Sequence, residues 1–332
     1  MKPWCLLLTL TSGLFLFSQL LPACVCAHWQ VDGEAVCTAA WDQQYPRLIS
    51  DGASGAIIAW HDSRNGYSPD IYAQRLDAGG SVKWTTNGVA VCTTAAGQYY
   101  PRLVSDSGGG AIITWQDYRN GGSLDIYAQQ LDASGTAKWA VSGVAVCTAT
   151  GDQWYPRLIS DGAGGAIIAW EDYREHDSHV YAQRVDASGS VTWPVDGVAV
   201  CSTAGKQSSP QMISDGTGGA VIAWESYNNG DYDIYAQRLD AGGAIKWGVN
   251  GVAICTASGY QLIPHVICDG AGGAIIVWQD RRSGPDCIYA QRVDANGVVK
   301  WAANGVLVCA ADRKSTRLNS SHRSLSRMPS SA

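Results

Sequence analysis

The sequence predicts an all-β fold, a β-propeller of four-stranded blades, and three observations predict it. First, the 332-residue chain repeats itself. A shift of 54 or 55 residues superposes Trp60, Trp115, Trp170, Trp224 and Trp278, and equally Pro46, Pro101, Pro156, Pro210 and Pro264. One fixed period of that size marks a solenoid, a propeller or an array. Second, each copy is a series of short apolar runs parted by Gly and Asp, too short for helices and without helical periodicity. Third, the run AIITW that ends at Trp115 is apolar at successive positions, so both faces of that strand need cover. Sheets stacked radially supply the cover. A linear β-solenoid is the alternative, but its coils are usually shorter.

The second copy shows the elements in order. Residues 102–105 form the first strand, and Asp106, Ser107, Gly108, Gly109 and Gly110 turn the chain, glycine reaching positive φ at little cost. Residues 111–116 form the second strand and 126–131 the third, which ends at a second turn, Asp132 to Gly135. The last part holds Trp139 and residues 144–147. In the first copy the matching pieces, 81–84 and 89–92, count as one bent outer strand, because an even number of strands returns the chain to the same edge. Five full copies run over 29–300, and a sixth begins at Trp301 and stops near Ala311.

The flanks differ from the repeat. Residues 1–27 read as a secretory signal peptide, with Lys2, an apolar core and small residues near Ala27. Leu21, Pro22, Ala23 and Cys24 also resemble a lipobox, which makes Cys24 a candidate lipid anchor. Residues 28–311 are the repeat domain. Residues 312–332 are basic, serine-rich and without period, and read as a disordered or artefactual tail. The chain is then expected in the cell envelope or outside it, with no membrane span once the leader is cleaved.

Without leader and tail, residues 28–311 hold 17 Lys+Arg against 28 Asp+Glu, a net charge of −11. An acidic domain with no basic stripe does not follow a phosphate backbone, so nucleic acid is excluded as a partner. Cys37, Cys92, Cys147, Cys201, Cys255 and Cys309 recur once per copy. They read as small buried hydrophobes. Equivalent positions in stacked sheets lie about 10 Å apart, beyond disulfide reach, so no disulfides are expected.

In an up-and-down sheet, the loop before the first strand and the loop after the second lie on one edge, and the polar and aromatic residues gather there. Gln43, Gln98, Gln153, Gln207 and Gln261 recur in every copy and are expected to bond loop backbone. Asp62 with Arg64, Asp117 with Arg119, Asp172 with Arg174 and Asp280 with Arg282 recur as pairs, and the fourth copy changes both partners, to Ser226 and Asn228. Joint loss is what a mutual contact predicts, because a lone half-buried charge is costly. Tyr45 and Arg47, Tyr100 and Arg102, and Tyr155 and Arg157 flank the repeat proline in three copies only. With Tyr99 and Trp154 they suggest an aromatic and guanidinium patch on one face of the disc, suited to sugar rings, carboxylates or a partner protein, with drift among duplicated copies as the alternative. His176 and His179 lack the helix and the carboxylate spacing of a zinc site. No nucleophile elbow or phosphate-cradling loop occurs, so no metal or cofactor is expected.

Over residues 160–189, the pattern SDGAGGAIIAWEDYREHDSHVYAQRVDASG resembles the TolB-type propeller repeat, with its apolar strand, acidic-Arg loop, aromatic third strand and D-x-x-G turn. These copies are longer, and TolB's separate N-terminal domain has no counterpart. The D-A-x-G-x-x-x-W ending resembles the tryptophan motif of quinoprotein propellers. That likeness implies that Trp84, Trp139, Trp193, Trp247 and Trp301 pack between blades. A propeller does not specify a function. The expected function is an exported, non-enzymatic binding module for a protein or glycan. A structural cell-surface repeat protein and a fragment of a glycan-active hydrolase are the alternatives.

Overall fold

The computed structural model describes residues 32–228 and 230–309. The leader, Cys24 and the tail beyond Ala311 lie outside the described residues. Among the described residues, twenty strands form five antiparallel four-stranded sheets. The first sheet is β1 (Gln43–Ser50), β2 (Ala56–Asp62), β3 (Asp70–Leu76) and β4 (Val89–Cys92), paired in that order. The second holds β5 (Gln98–Ser105), β6 (Ala111–Asp117), β7 (Asp125–Leu131) and β8 (Val144–Cys147). The third holds β9 (Gln153–Ser160), β10 (Ala166–Glu175), β11 (Asp177–Val185) and β12 (Val198–Ala199). The fourth runs from β13 (Lys206–Ser214) through β14 (Ala220–Asn228) and β15 (Asp231–Leu239) to β16 (Val252–Cys255). The fifth runs from β17 (Gln261–Cys268) through β18 (Ala274–Asp280) and β19 (Cys287–Val293) to β20 (Val306–Cys309). The residues after Trp301, which the repeat reads as the start of a sixth copy, thus supply the fourth strand of the fifth sheet.

The first strands of successive sheets lie against one another, so they surround the axis and the fourth strands form the rim. This is the blade arrangement of a propeller. Each pair of neighbouring sheets shares one hydrophobic core, from sheets one and two through to sheets four and five. The second strands fill these cores on both faces, as in Ala111–Asp117, where every residue is buried. No such core joins the fifth sheet to the first among the described residues. On that open side Leu48 is 70% exposed, Ile267 61% and Val308 60%.

Two tryptophans per blade tie the sheets together. Trp115, Trp170, Trp224 and Trp278 are buried in the cores between sheets, whereas Trp60, also buried, lines a groove on the open side of the first sheet. The second set reaches across the boundary. The indole N–H of Trp84 donates to Ala133 O at 3.1 Å, Trp139 to Ala187 O at 3.1 Å, Trp193 to Ala241 O at 3.0 Å and Trp247 to Ala295 O at 3.0 Å. The turn glycine of the receiving blade lets the ring approach. A Cβ on Gly189, at φ +86°, would fall 2.6 Å from the Trp139 ring. Trp301, with no described blade beyond it, is 38% exposed.

Candidate functional site

Each inner strand carries the same bulge. Pairing slips between Gln44 and Arg47, Tyr99 and Arg102, Ser208 and Gln211, and Leu262 and His265, and in the third blade opposite Trp154 and Arg157. The residue before the proline takes a left-handed φ: Tyr45 53°, Tyr100 52°, Tyr155 54°, Ser209 55° and Ile263 56°. That conformation is unfavourable for any non-glycine residue and most of all for a β-branched one. A bulge bends its strand and re-aims a side chain. The Tyr-Pro-Arg triplets therefore sit inside the innermost strands and gather at the axis. The residues expected to form the aromatic and guanidinium patch thus lie at the bulges of the inner strands, where Tyr45 and Tyr155 are exposed.

The rings form a continuous array there. Tyr45 and Tyr100 lie 4.8 Å apart between centroids, Tyr100 and Tyr155 6.4 Å, Tyr155 and Trp154 6.0 Å, and Tyr99 and Tyr100 6.4 Å. Arg47, Arg102 and Arg157 converge on the same place from three adjacent blades. Burial, and after it the charges of Arg157 and Arg47, bring the Arg102 guanidinium down to about 10. Burial and Arg47 also lower Arg157.

The residue after each core tryptophan changes from copy to copy, as His61, Gln116, Glu171, Glu225 and Gln279, and His61, Glu171 and Glu225 meet the inner strand of the next blade beside the tyrosine array. Glu171 is 5% exposed and Glu225 7%. Burial pushes both carboxyls above the usual carboxylate range, and the charge of Glu225 adds to the effect on Glu171. Glu171 Oε1 accepts from Ser209 N at 2.8 Å, and Glu225 Oε1 accepts from Ile263 N at 2.7 Å. Each carboxyl thus holds the N–H of the left-handed residue in the next blade's inner strand. The second oxygen of Glu171 receives only the Tyr173 hydroxyl, at 3.4 Å. That of Glu225 receives the Ser208 hydroxyl, also at 3.4 Å. Glutamates one repeat apart in the chain, on β10 and β14, are thus presented near each other by adjacent blades.

The recurrent polar residues hold the blades. Asp117 Oδ2 accepts from the Trp115 indole at 2.7 Å and from Arg119 Nη2 at 2.5 Å. The Arg119 guanidinium stacks 3.7 Å over Tyr127 and donates to Ser142 O at 2.8 Å. Arg64, Arg174 and Arg282 repeat this geometry with Asp62, Asp172 and Asp280. Gln98, Gln153, Gln207 and Gln261 donate to backbone oxygens of the loop before their own strand, and Gln43 does the same.

No family model and no curated protein matches the sequence. Solved structures do match. A polysaccharide lyase of family PL25, an ulvan lyase bound to -[GlcA(1-4)Rha3S]-, is similar at TM-score 0.53 and 11% identity, over 77% of this chain and 68% of the lyase. The fold is a β-propeller. An endo-arabinase from Bacteroides thetaiotaomicron matches at TM-score 0.42 and 14% identity, over 82% of this chain and 100% of the enzyme. A GH93 α-L-arabinofuranosidase of Fusarium graminearum matches at 0.46 and 13%, over 80% and 82%. Nothing in these likenesses is particular to TolB, so the resemblance reduces to the general propeller repeat. The expectation of a non-enzymatic binding module is also corrected: the propeller similar at TM-score 0.53 is that of a polysaccharide lyase. Among the described residues, no helix is long and apolar enough to cross a membrane.

Proposed function

We propose that the chain is an exported glycan-active hydrolase whose active site is the axial cluster, with Glu171 and Glu225 as the working carboxyl pair. The observation that carries this reading is a matched pair of buried carboxyls from adjacent blades, Glu171 and Glu225, each accepting the backbone N–H of the left-handed residue in the next inner strand, Ser209 and Ile263. A glycosidic bond is cleaved by two carboxyl groups in different protonation states, one donating a proton to the leaving oxygen and one acting as base or nucleophile. Glu171 suits the acid role, because burial and the neighbouring charge of Glu225 both favour its protonated form. Glu225 keeps the Ser208 hydroxyl and a backbone N–H on its carboxylate, which suits the charged partner. In the reaction the Glu171 proton goes to the departing sugar oxygen as the C–O bond breaks. Water supplies the hydroxyl to the anomeric carbon and its remaining proton restores the acid. The tyrosine and tryptophan rings give sugar faces a surface to stack on.

Reducing-end release from a panel of arabinan, xylan and polyuronate chains tests the reading. The wild-type chain should be active on at least one of them. Glu171→Gln and Glu225→Gln should each lose about 100-fold or more while melting as the wild type does, the scale of a missing general acid or base. Full activity in either variant, or no activity on any chain, removes the proposal.

A further inference from the structure

Arg47, Arg102 and Arg157 stand apart from the rest of the arginines. Every other arginine among the described residues has a carboxylate within 4.0 Å. These three have none. Arg102 Nη1 reaches only the carbonyl of its own Pro101 at 3.3 Å, Arg47 Nη1 only that of Pro46 at 3.5 Å, and no hydrogen bond of Arg157 is formed among the described residues. Three cations with no carboxylate in contact, only Arg157 feeling the charge of Glu171 at longer range, repel one another within a repeat domain of net charge −11, and burial raises the cost for Arg102 and Arg157. Blades four and five, which would add further cations at the same position, carry Gln211 and His265 instead. The same axis holds buried polar atoms with no partner: Nδ1 of His61, 6% exposed, and Oε1 of Gln116, 2% exposed. The tyrosine array lies beside them.

We infer that the three arginines form an anion subsite and that the substrate is an acidic glycan, a chain whose sugars carry carboxylate or sulfate groups. The inference rests on the reading of the axis as a glycan-binding active site and gives that site its substrate class. A guanidinium fork matches a planar carboxylate or a sulfate with two parallel N–H bonds, and such a ligand supplies the missing counter-charge. Neutral arabinan or xylan leaves all three cations unpaired. A structural role for the arginines predicts the opposite behaviour, since their removal would then cost stability.

Binding is measured by calorimetry with three probes: an oligogalacturonate, a sulfated galactan oligomer and a neutral arabino-oligosaccharide. The wild type should bind at least one acidic probe, lose affinity as salt is raised, and bind the neutral one at least tenfold more weakly. Arg102→Gln should weaken the acidic probe tenfold or more and melt at the same temperature as the wild type or higher. The carboxylate and sulfate arms tell which anion is bound. Equal binding of neutral and acidic probes, or a lower melting temperature of Arg102→Gln with unchanged binding, overturns the inference. The two proposals fail separately. Acidic binding that persists without turnover leaves the anion subsite and removes the hydrolase, whereas turnover of neutral chains alone does the reverse.

Discussion

Arg119 reaches back across a blade boundary to Cys92, its Nη2 lying 3.1 Å from the thiol sulfur. The same contact joins Arg64 to Cys37 at 3.2 Å and Arg282 to Cys255 at 3.0 Å. The recurrent cysteine is therefore more than a small hydrophobe. It ends the outer strand of one blade and fills the space beside the Asp-Arg pair of the next. Asp, Arg, Cys and the core Trp form one unit that fixes the angle between neighbouring sheets.

That unit predicts a non-additive mutant cycle. Asp117→Ser alone leaves Arg119 and the Trp115 indole unpaired, which costs about 3–5 kcal/mol for a buried pair broken on one side. Arg119→Asn alone leaves Asp117, 0% exposed, with its charge uncompensated. The double change copies the fourth blade, where Ser226 and Asn228 hydrogen-bond each other across 2.9 Å. It should cost less than either single change. Chemical denaturation of the four proteins checks this, and simple additivity would show that the pair is not a unit.

The fourth blade bears the cost of its exchange in two places. The Trp224 indole N–H is buried without a partner, and Asp233 has lost both the arginine and the asparagine that serve its equivalents, Asp70 and Asp125. Burial, and after it the charge of Asp231, push Asp233 up to about 6. A carboxyl raised in the folded state favours folding below its unfolded pKa of 3.8 and loses that contribution as pH rises through about 6. Asp233→Asn should therefore raise the melting temperature more at pH 7 than at pH 4. An equal shift at the two pH values would exclude Asp233 as the titrating group.

Much of this molecule is legible in its repeat. The period, the two tryptophan sets and the joint loss at Ser226 and Asn228 each point to a contact that the structure contains. The register of the site is not legible. Tyr45, Tyr100 and Tyr155 look like loop residues because a proline follows each one, and only the bulge carries them into the inner strand. The phase of the copies is hidden for a related reason, since an outer strand such as β20 follows its own blade in sequence and matches the segment before the first blade equally well. Glu171 and Glu225 carried a signal that sequence reasoning missed. The position after each core tryptophan holds His, Gln, Glu, Glu and Gln in turn, a break of the repeat where a repeat-wide structural role would keep one residue. Without a third dimension, nothing shows that this position meets the inner strand of the next blade.

The tryptophan dock gives a steric prediction. Gly189 sits at φ +86° with the Trp139 ring so close that an added Cβ would lie 2.6 Å from it. Gly189→Ala meets two penalties, a strained backbone and a displaced ring, and should cost about 1–3 kcal/mol or more. Gly162, at φ +76° with nothing within 4 Å of an added Cβ, meets only the first. A melting comparison of the two alanine variants separates ring displacement from backbone strain, and equal losses would mean that Trp139 moves aside freely.

The open side of the array can be tested with one residue type at one repeat position. Leu48 and Leu103 each follow the Pro-Arg pair of an inner strand and face the preceding blade. Leu103 packs into the core shared by sheets one and two, whereas Leu48 has no described blade to face and is 70% exposed. A groove beside it is lined by Val36, Pro46 and Trp60, and the far face of the fifth sheet has its counterpart, lined by Ile263, Val277 and Ile288. Leu103→Ala should cost about 2–5 kcal/mol, as a truncated core leucine does, while Leu48→Ala should stay within about 0.5 kcal/mol. A contiguous apolar face of this kind also favours association, so Leu48→Lys together with Ile267→Lys should reduce self-association in sedimentation without lowering the melting temperature. If Leu48→Ala costs as much as Leu103→Ala, the first sheet is covered in solution as fully as the internal ones, and the two faces are a closed junction rather than an open side.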